Sequence, residues 1–396
     1  MRSIADIYHD FFRPILGGRK YEDWQKESFQ LQKVEIKNKK LALELEEECK
    51  KRGGFLTFAE YVQIEQFGKS GFHNTHFYHG FTPTFKTWAD AIVQYVSGND
   101  IHHIIEVGPG DGNLAHLLYK GFQKKDFRVQ WTGVEILEKQ RAVIENRFKD
   151  KKYAEFFGGV AQDLTALPYY NKALIISSFC IDSVPPEALI NTKKASGIPD
   201  AAIGIKVEDG FLEEFILEKG QLKKKGMDLE NGIFTKNGIS YDVRAYRLSP
   251  MQRAYLTFDG FRLIYDAAKQ VKHPTILVID EVRDTIDVLR SDHILSPLYL
   301  SVKNRYKFNP HKAYERSGEV LYYYPFYLDS LLSMLRGMGL AVTEYDLEPK
   351  LAAKLSGKPW APDPRVSRYL CYGILANGTL TKNNTFKLSF PRPQGL

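Results

Sequence analysis

An apolar strand running into three alternate glycines and then a helix, IIEVGPGDGNLAHLLYKGF over residues 104–122, constrains this chain more than any other stretch. Glycine, lacking a Cβ, lets a backbone turn tightly and come close to a ligand. The helix that opens at Asn113 aims partial positive charge at that turn. Gly108, Gly110 and Gly112 stand as G-x-G-x-G, not in the G-x-G-x-x-G spacing that seats a pyrophosphate. Glu106, two residues upstream of the first glycine, sets an acidic lip next to Pro109. An acidic lip attracts the cationic amino group and ribose of S-adenosylmethionine and repels a pyrophosphate, so this cofactor is the expectation.

Two further acids fall where such a ligand would extend. Glu135, in WTGVEIL, closes the second strand, and a carboxylate there can accept both ribose hydroxyls. Asp163, in GGVAQDLTAL after the third strand, either reaches the adenine amino group or N-caps a helix; both readings stand.

From residue 102 the chain alternates strand-like and helix-like segments, with strands predicted at 103–107, 129–136, 154–160, 174–179, 275–281, 340–347 and 369–375. The alternation argues for an α/β fold, a Rossmann-like seven-stranded sheet that is mainly parallel. No helical pattern is read between the last two strands, so the final strand is expected to run antiparallel, as in methyltransferase sheets of this type. Upstream, Leu31, Val34, Leu41 and Leu45 predict one helix over 21–52, followed by helices near 58–64 and 85–96 around a loop from Gly68 to Pro83. Between the fourth and fifth strands, AAIGIKV and FLEEFILEKG read as a hairpin, and 249–272 has helical periodicity. The expected organisation is a helical N-terminal region and active-site lid over 1–100 and a cofactor-binding half over 101–185. An insertion covering the acceptor site over 186–272 and the second half of the domain over 273–396 complete it.

Composition excludes several classes. No apolar run approaches the ~20 residues of a membrane-spanning helix. The opening MRSIADIYHDFFRPILGG is broken by Asp6, His9, Asp10 and Arg13 and lacks a secretory core, so a cytoplasmic location is expected. Cys49, Cys180 and Cys371 form neither a disulfide framework nor a zinc ribbon. The net charge of +7 fits a solvated surface or a footprint for an acidic partner. His73, His76 and His79 recur at every third residue without Cys or acidic ligands beside them, so no metal is expected. Pro185-Pro186 is followed by Glu187 rather than a stacking aromatic, which argues against nucleic acid as substrate.

The stretch IIEVGPGDGNLAHLL, followed by VEILEKQRAV, resembles the MidA-like family of class I S-adenosylmethionine-dependent methyltransferases, which includes mitochondrial complex I assembly methyltransferases. That family shows E-I/V-G-P-G-x-G-x-L and then V-E-x-S with a later L-x-x-x-Q. LTFAEYVQIEQFGKSGF, HGFTPTFKTWADAIV and CIDSVPPEAL resemble its N-terminal helix and loop, its G-D-F-x-T-x-P segment and its F-F-D-A-L-P. The departures lie on the acceptor side. Ser178-Phe179 replaces Asn-Glu, Asp280-Glu281-Val282 replaces D-Y-G, and LYYYPFYL over 321–328 replaces D-I/L-T.

The resemblance implies a methyl acceptor at the end of the fourth strand, with Asp182, the Asp of F-F-D-A-L-P, in a catalytic role. It also implies that the His-rich loop folds over the cofactor, with His79 facing the acceptor and His76 beside it. Phe179, Tyr323 and Tyr324 are candidate walls of the acceptor pocket. A protein or peptide acceptor is expected, and arginine is not, because the Glu that would grip a guanidinium is missing. A small-molecule O- or N-methyltransferase and a cofactor-binding assembly protein without turnover are the alternatives.

Overall fold

Seven strands form the central sheet, and their side chains alternate between two helical layers. In chain order they are β1 (His103–Val107), β2 (Gln130–Val134), β3 (Phe157–Ala161), β4 (Tyr170–Ser178), β5 (Val271–Arg283), β6 (Leu340–Leu347) and β7 (Cys371–Gly378). In space they run β3-β2-β1-β4-β5-β7-β6, and the short strand Phe326–Tyr327 pairs with the far end of β5. β1 to β5 are mutually parallel. β7 is antiparallel to both β5 and β6. The computed structural model describes residues 30–75, 85–192, 197–246, 248, 250, 251, 253–283, 298–301, 314–318, 320–323, 326–359, 371–381 and 383–388. For residues 85, 182, 281–283, 298–301, 320–323 and 327 the description is confined to the backbone.

The antiparallel last strand is the expected one, but its premise fails, because the helix Glu348–Ser356 stands between β6 and β7. A helix alone does not force a parallel crossover, and β7 lies in the gap between β5 and β6.

Period-two alternation sorts the sheet's apolar side chains. Ile105, Val107, Ala173, Ile175, Ile276 and Val278 face a layer built from Phe258–Lys269 and Leu328–Gly337. Ile104, Leu174, Ile176, Leu277 and Ile279 face the other layer. That layer holds α1 (Phe85–Gly98), α2 (Asn113–Lys125) and α3 (Glu138–Phe148). On this side the buried Trp88 of α1 donates its indole N–H to Glu348 Oε1 at 2.6 Å, tying α1 to the start of Glu348–Ser356.

The insertion and the N-terminal segment share a second, antiparallel sheet. Lys33–Glu35, Phe211–Leu217, Ala201–Glu208, Glu187–Ile190 and Arg253–Leu256 lie side by side, and Leu56–Thr57 pairs with Ala201–Glu208. The hairpin read from the sequence is therefore present. The single helix over 21–52 is not: its described part is the strand Lys33–Glu35 and the helix Lys39–Lys51. Val34 is buried between exposed neighbours, which is strand alternation, and the Asn38 side chain accepts the Leu41 N–H and so begins the helix afresh. The stretch 249–272 likewise divides, into Arg253–Leu256 and the helix Phe258–Lys269. Among the described residues no helix is long and apolar enough to cross a membrane.

One ion pair pins this sheet. Arg253, 5% exposed, meets the buried Glu214 with Nη1 at 2.6 Å and Nη2 at 2.8 Å. Tyr314 and the Gln32 backbone N–H also donate to Glu214, and Arg253 reaches Gln30 O at 2.6 Å. Removing the cation strands a carboxylate in the interior. Arg253→Ala should lower unfolding free energy by ~3–5 kcal/mol, read as a fall in the urea midpoint.

Candidate active site

β1 hands over to α2 through a turn in which Gly108, Gly110 and Gly112 all have left-handed φ, at +69°, +58° and +74°. Side chains rarely tolerate that region. The glycines nevertheless do different work. A Cβ on Gly108 would fall 2.6 Å from Cys180 Sγ, and one on Gly112 would fall 3.2 Å from the Phe148 ring and 3.4 Å from Ile144. A Cβ on Gly110 would meet nothing within 4 Å. Gly108 and Gly112 therefore permit close packing, while Gly110 faces open space. At the helix start, Asn113 donates its backbone N–H to Asp111 Oδ1 at 3.1 Å and accepts from Arg147 at 2.5 Å.

Opposite Gly110 stands Glu135, one residue past β2 and only 6% exposed. Its Oε2 accepts the Gly110 N–H at 3.3 Å and its Oε1 accepts the Leu137 N–H at 3.0 Å. Burial holds this carboxyl above its ordinary range. Arg141 fixes the same corner by donating to the carbonyls of Glu135 and Ile136 at 2.8 and 2.7 Å. The fold thus brings together two residues that the sequence nominated separately.

Glu106 is placed differently from the open acidic lip expected of it. Its side chain lies beneath the turn, 2% exposed, and accepts the Trp131 indole N–H at 2.8 Å. Burial, aided by the charge of Asp111, pushes it up to about 7. Asp163 is exposed and caps the turn Leu164–Ala166, accepting from the Thr165 backbone at 2.9 Å and its hydroxyl at 2.5 Å. Of its two readings, capping is the contact the structure contains.

On the other side of β1, strand β4 ends at Ser178 with a buried hydroxyl. Phe179 follows at φ +50°, donates its N–H to Ile279 O at 2.8 Å, and packs against the α1–α2 layer. Asp182 lies in the next turn, Ile181–Ser183. A residue that sequence reasoning passed over organises this corner. Asp280, fully buried within β5 after its apolar run, accepts the N–H groups of Cys180 and Ile181 at 3.3 and 2.9 Å. Its signal was a carboxylate directly after the apolar run ILVI, the first of the pair Asp280-Glu281. Tyr323 sits on the strand Val320–Tyr323, paired with Leu298, whereas Tyr324, His76 and His79 lie outside the described residues. His73 stacks on Phe67 at 4.8 Å, and burial pushes it down to about 4, leaving a neutral ring. Among the described residues no group of His, Cys, Asp and Glu could hold a metal ion.

Two expectations follow. A methyl group at Gly110 meets no protein atom, so Gly110→Ala should cost only the backbone term of ~1–2 kcal/mol, and Gly112→Ala more. Urea denaturation of the two variants checks the order. Secondly, burial raises Glu106 to about 7 and also raises Glu65, which accepts the Gly318 N–H at 2.6 Å, to about 8. The folded state therefore keeps protons that the unfolded chain, with both groups near 4.5, has released. Their contribution is fully present below the unfolded value and is lost as pH rises through the folded ones. The urea midpoint should fall as pH rises from about 4.5 to about 8 and level off above that, a slope that the double variant Glu65→Gln, Glu106→Gln should flatten.

Neither a protein-family model nor a curated protein sequence matches the chain. Among solved structures, an uncharacterized ACR of the COG1565 superfamily from Burkholderia thailandensis is similar with a TM-score of 0.60 and 13% identity, over 92% of this chain and 96% of that one. A COG1565 superfamily member from the same organism, bound to S-adenosyl-homocysteine, is similar with a TM-score of 0.59 and 13% identity, over 91% and 96%. COG1565 is the grouping of the MidA-like proteins, to which the sequence motifs pointed independently. Over nearly its whole length, this chain has the fold of that superfamily.

Proposed function

We propose that the chain is an S-adenosylmethionine-dependent methyltransferase acting on a protein or peptide, at a side chain or terminus other than arginine. The observation that carries the reading is the open face of Gly110 set against the buried Glu135 carboxylate. The bare Cα leaves space that a ligand edge can occupy, and the carboxylate suits paired hydroxyls. The residues present therefore fit the cofactor. The Burkholderia thailandensis protein with this fold holds S-adenosyl-homocysteine, the species left after methyl donation, which supports the same reading.

Gly108, Pro109, Gly110 and Gly112 would seat the cofactor, Glu135 would accept from its ribose, and Asp163 would reach its adenine. Bound there, the cofactor supplies an electrophilic methyl group on a sulfonium. In-line displacement needs little acid–base help, so the chain's main contribution is orientation. Asp280 sets the backbone that leads into Asp182. Asp182 would orient the acceptor and take its proton where it arrives protonated. His76 and His79, by the family resemblance, would cover the site, with Phe179, Tyr323 and Tyr324 as its walls.

Arginine is set aside on chemical grounds. A guanidinium stays protonated and must be held by carboxylates. Ser178 offers a hydroxyl, Phe179 an apolar ring, and the Asp280 carboxylate is buried under backbone N–H groups. A guanidinium beside them would be left unpaired.

Calorimetric titration should show S-adenosyl-homocysteine binding that Glu135→Ala weakens tenfold or more, since a lost hydrogen bond to a charged group costs ~1.5–3 kcal/mol. Tight NADH binding without S-adenosyl-homocysteine binding would overturn the reading. Incubation with methyl-labelled cofactor and cell extract should place label on protein. Dimethylarginine that disappears in Asp182→Asn would refute the choice of acceptor.

A further inference from the structure

The turn that would seat the cofactor is closed by the Gly112 N–H donating to Pro109 O at 3.0 Å, and the Pro109 ring is supported by a chain of side chains. Glu106 and Trp131 are both buried, and the indole N–H reaches Glu106 Oε2 at 2.8 Å. Trp131 and Gly133 lie on one face of β2, and Gly133 pairs with Glu106 across the strands. A Cβ on Gly133 would fall 2.7 Å from Trp131 Cη2 and 3.1 Å from Pro109 Cγ. Two rings, one from the strand and one from the turn, therefore close over a single bare Cα. Trp131 also packs against Phe148 at 5.7 Å and Phe157 at 6.0 Å, and Phe148 lies against the Gly112 position.

We infer that Glu106 is a positioning residue rather than a ligand contact: it locks the Trp131 indole, which with Gly133 supports Pro109 and so holds Gly110 opposite Glu135. This rests on the proposed function for what the turn seats. An indole carries one N–H and no acceptor, so a single partner fixes its ring. A buried N–H left without a partner costs free energy, which biases the ring away from its seat. Either protonation state of Glu106 retains a carboxyl oxygen that can accept. An amide can therefore replace it, and an alkyl group cannot.

The test uses the full chain and four variants, Glu106→Gln, Glu106→Leu, Trp131→Phe and Gly133→Ala, with S-adenosyl-homocysteine as probe. Glu106→Gln should bind within about threefold of the parent, while the other three should weaken binding about tenfold or more. Stability is measured alongside by urea denaturation. A variant as stable as Glu106→Gln that still binds tenfold worse separates positioning from general loosening. The contact also has a spectroscopic signature. Burial, with the charge of Asp111, lifts Glu106 to about 7, so tryptophan emission should change across neutral pH. That change should vanish in Trp131→Phe and in Glu106→Gln.

Loss of binding in Glu106→Gln equal to that in Glu106→Leu would mean the carboxylate itself meets the ligand, and would overturn the inference. So would normal binding by Trp131→Phe. Should Glu106→Leu not fold, Trp131→Phe and Gly133→Ala decide the matter alone. If the parent binds no S-adenosyl-homocysteine, the proposed function fails; the fluorescence titration then decides the Glu106–Trp131 support by itself, and its absence sinks it.

Discussion

A strand can pass into a helix within one tight turn only if the backbone may enter the left-handed region repeatedly, and here it does so at Gly108, Gly110 and Gly112. Everything near the candidate site depends on that turn lying against its neighbours. Cys180 from the β4 end presses on Gly108, Phe148 and Ile144 of α3 press on Gly112, and the Pro109 ring rests at Gly133. Three supports from three elements leave one residue, Gly110, facing outward. The turn is a packed object with a single open side, which is what pre-organised binding requires.

Burial of acids is the electrostatic counterpart. Glu106 in β1, Glu135 just past β2 and Asp280 in β5 are all buried, and each accepts from N–H groups of the backbone or an indole. These backbone and indole donors fix the direction of each carboxylate, while the Arg141 guanidinium is turned onto the carbonyls of Glu135 and Ile136. Desolvation raises Glu106 and Glu135. The buried ion pair of Arg253 with Glu214 lies in the second sheet, where it joins segments far apart in sequence.

The sheet strands, the glycine turn and Glu135 were legible because each is a local pattern: period-two apolar runs, an unusual glycine spacing, a carboxylate closing a strand. What escaped the sequence depends on partners distant along the chain. Val34 shares a stripe with Leu41, but it is a strand residue because Phe211–Leu217 offers it an edge. Glu106 reads as a ligand by position, and only the fold reveals that Trp131 occupies it. Asp280 reads as a departure from a motif, whereas in three dimensions it fastens the turn beyond β4. The helix Glu348–Ser356 was missed because its apolar residues, among them Leu351 and Ala352, are few and its first turn carries a proline.

The place of β7 has a consequence for how the sheet is completed. Residues 371–378 come after β6 in the chain but lie between β5 and β6 in space, bonded to both. Until that segment arrives, β5 lacks its outer neighbour and β6 has nothing to join. The sheet therefore cannot grow outward one strand at a time in the order of synthesis. Its final member must be inserted into an open slot, a contact of high sequence separation from β5 and one that slows folding. During that interval the two waiting edges are the surfaces most prone to pair with another chain.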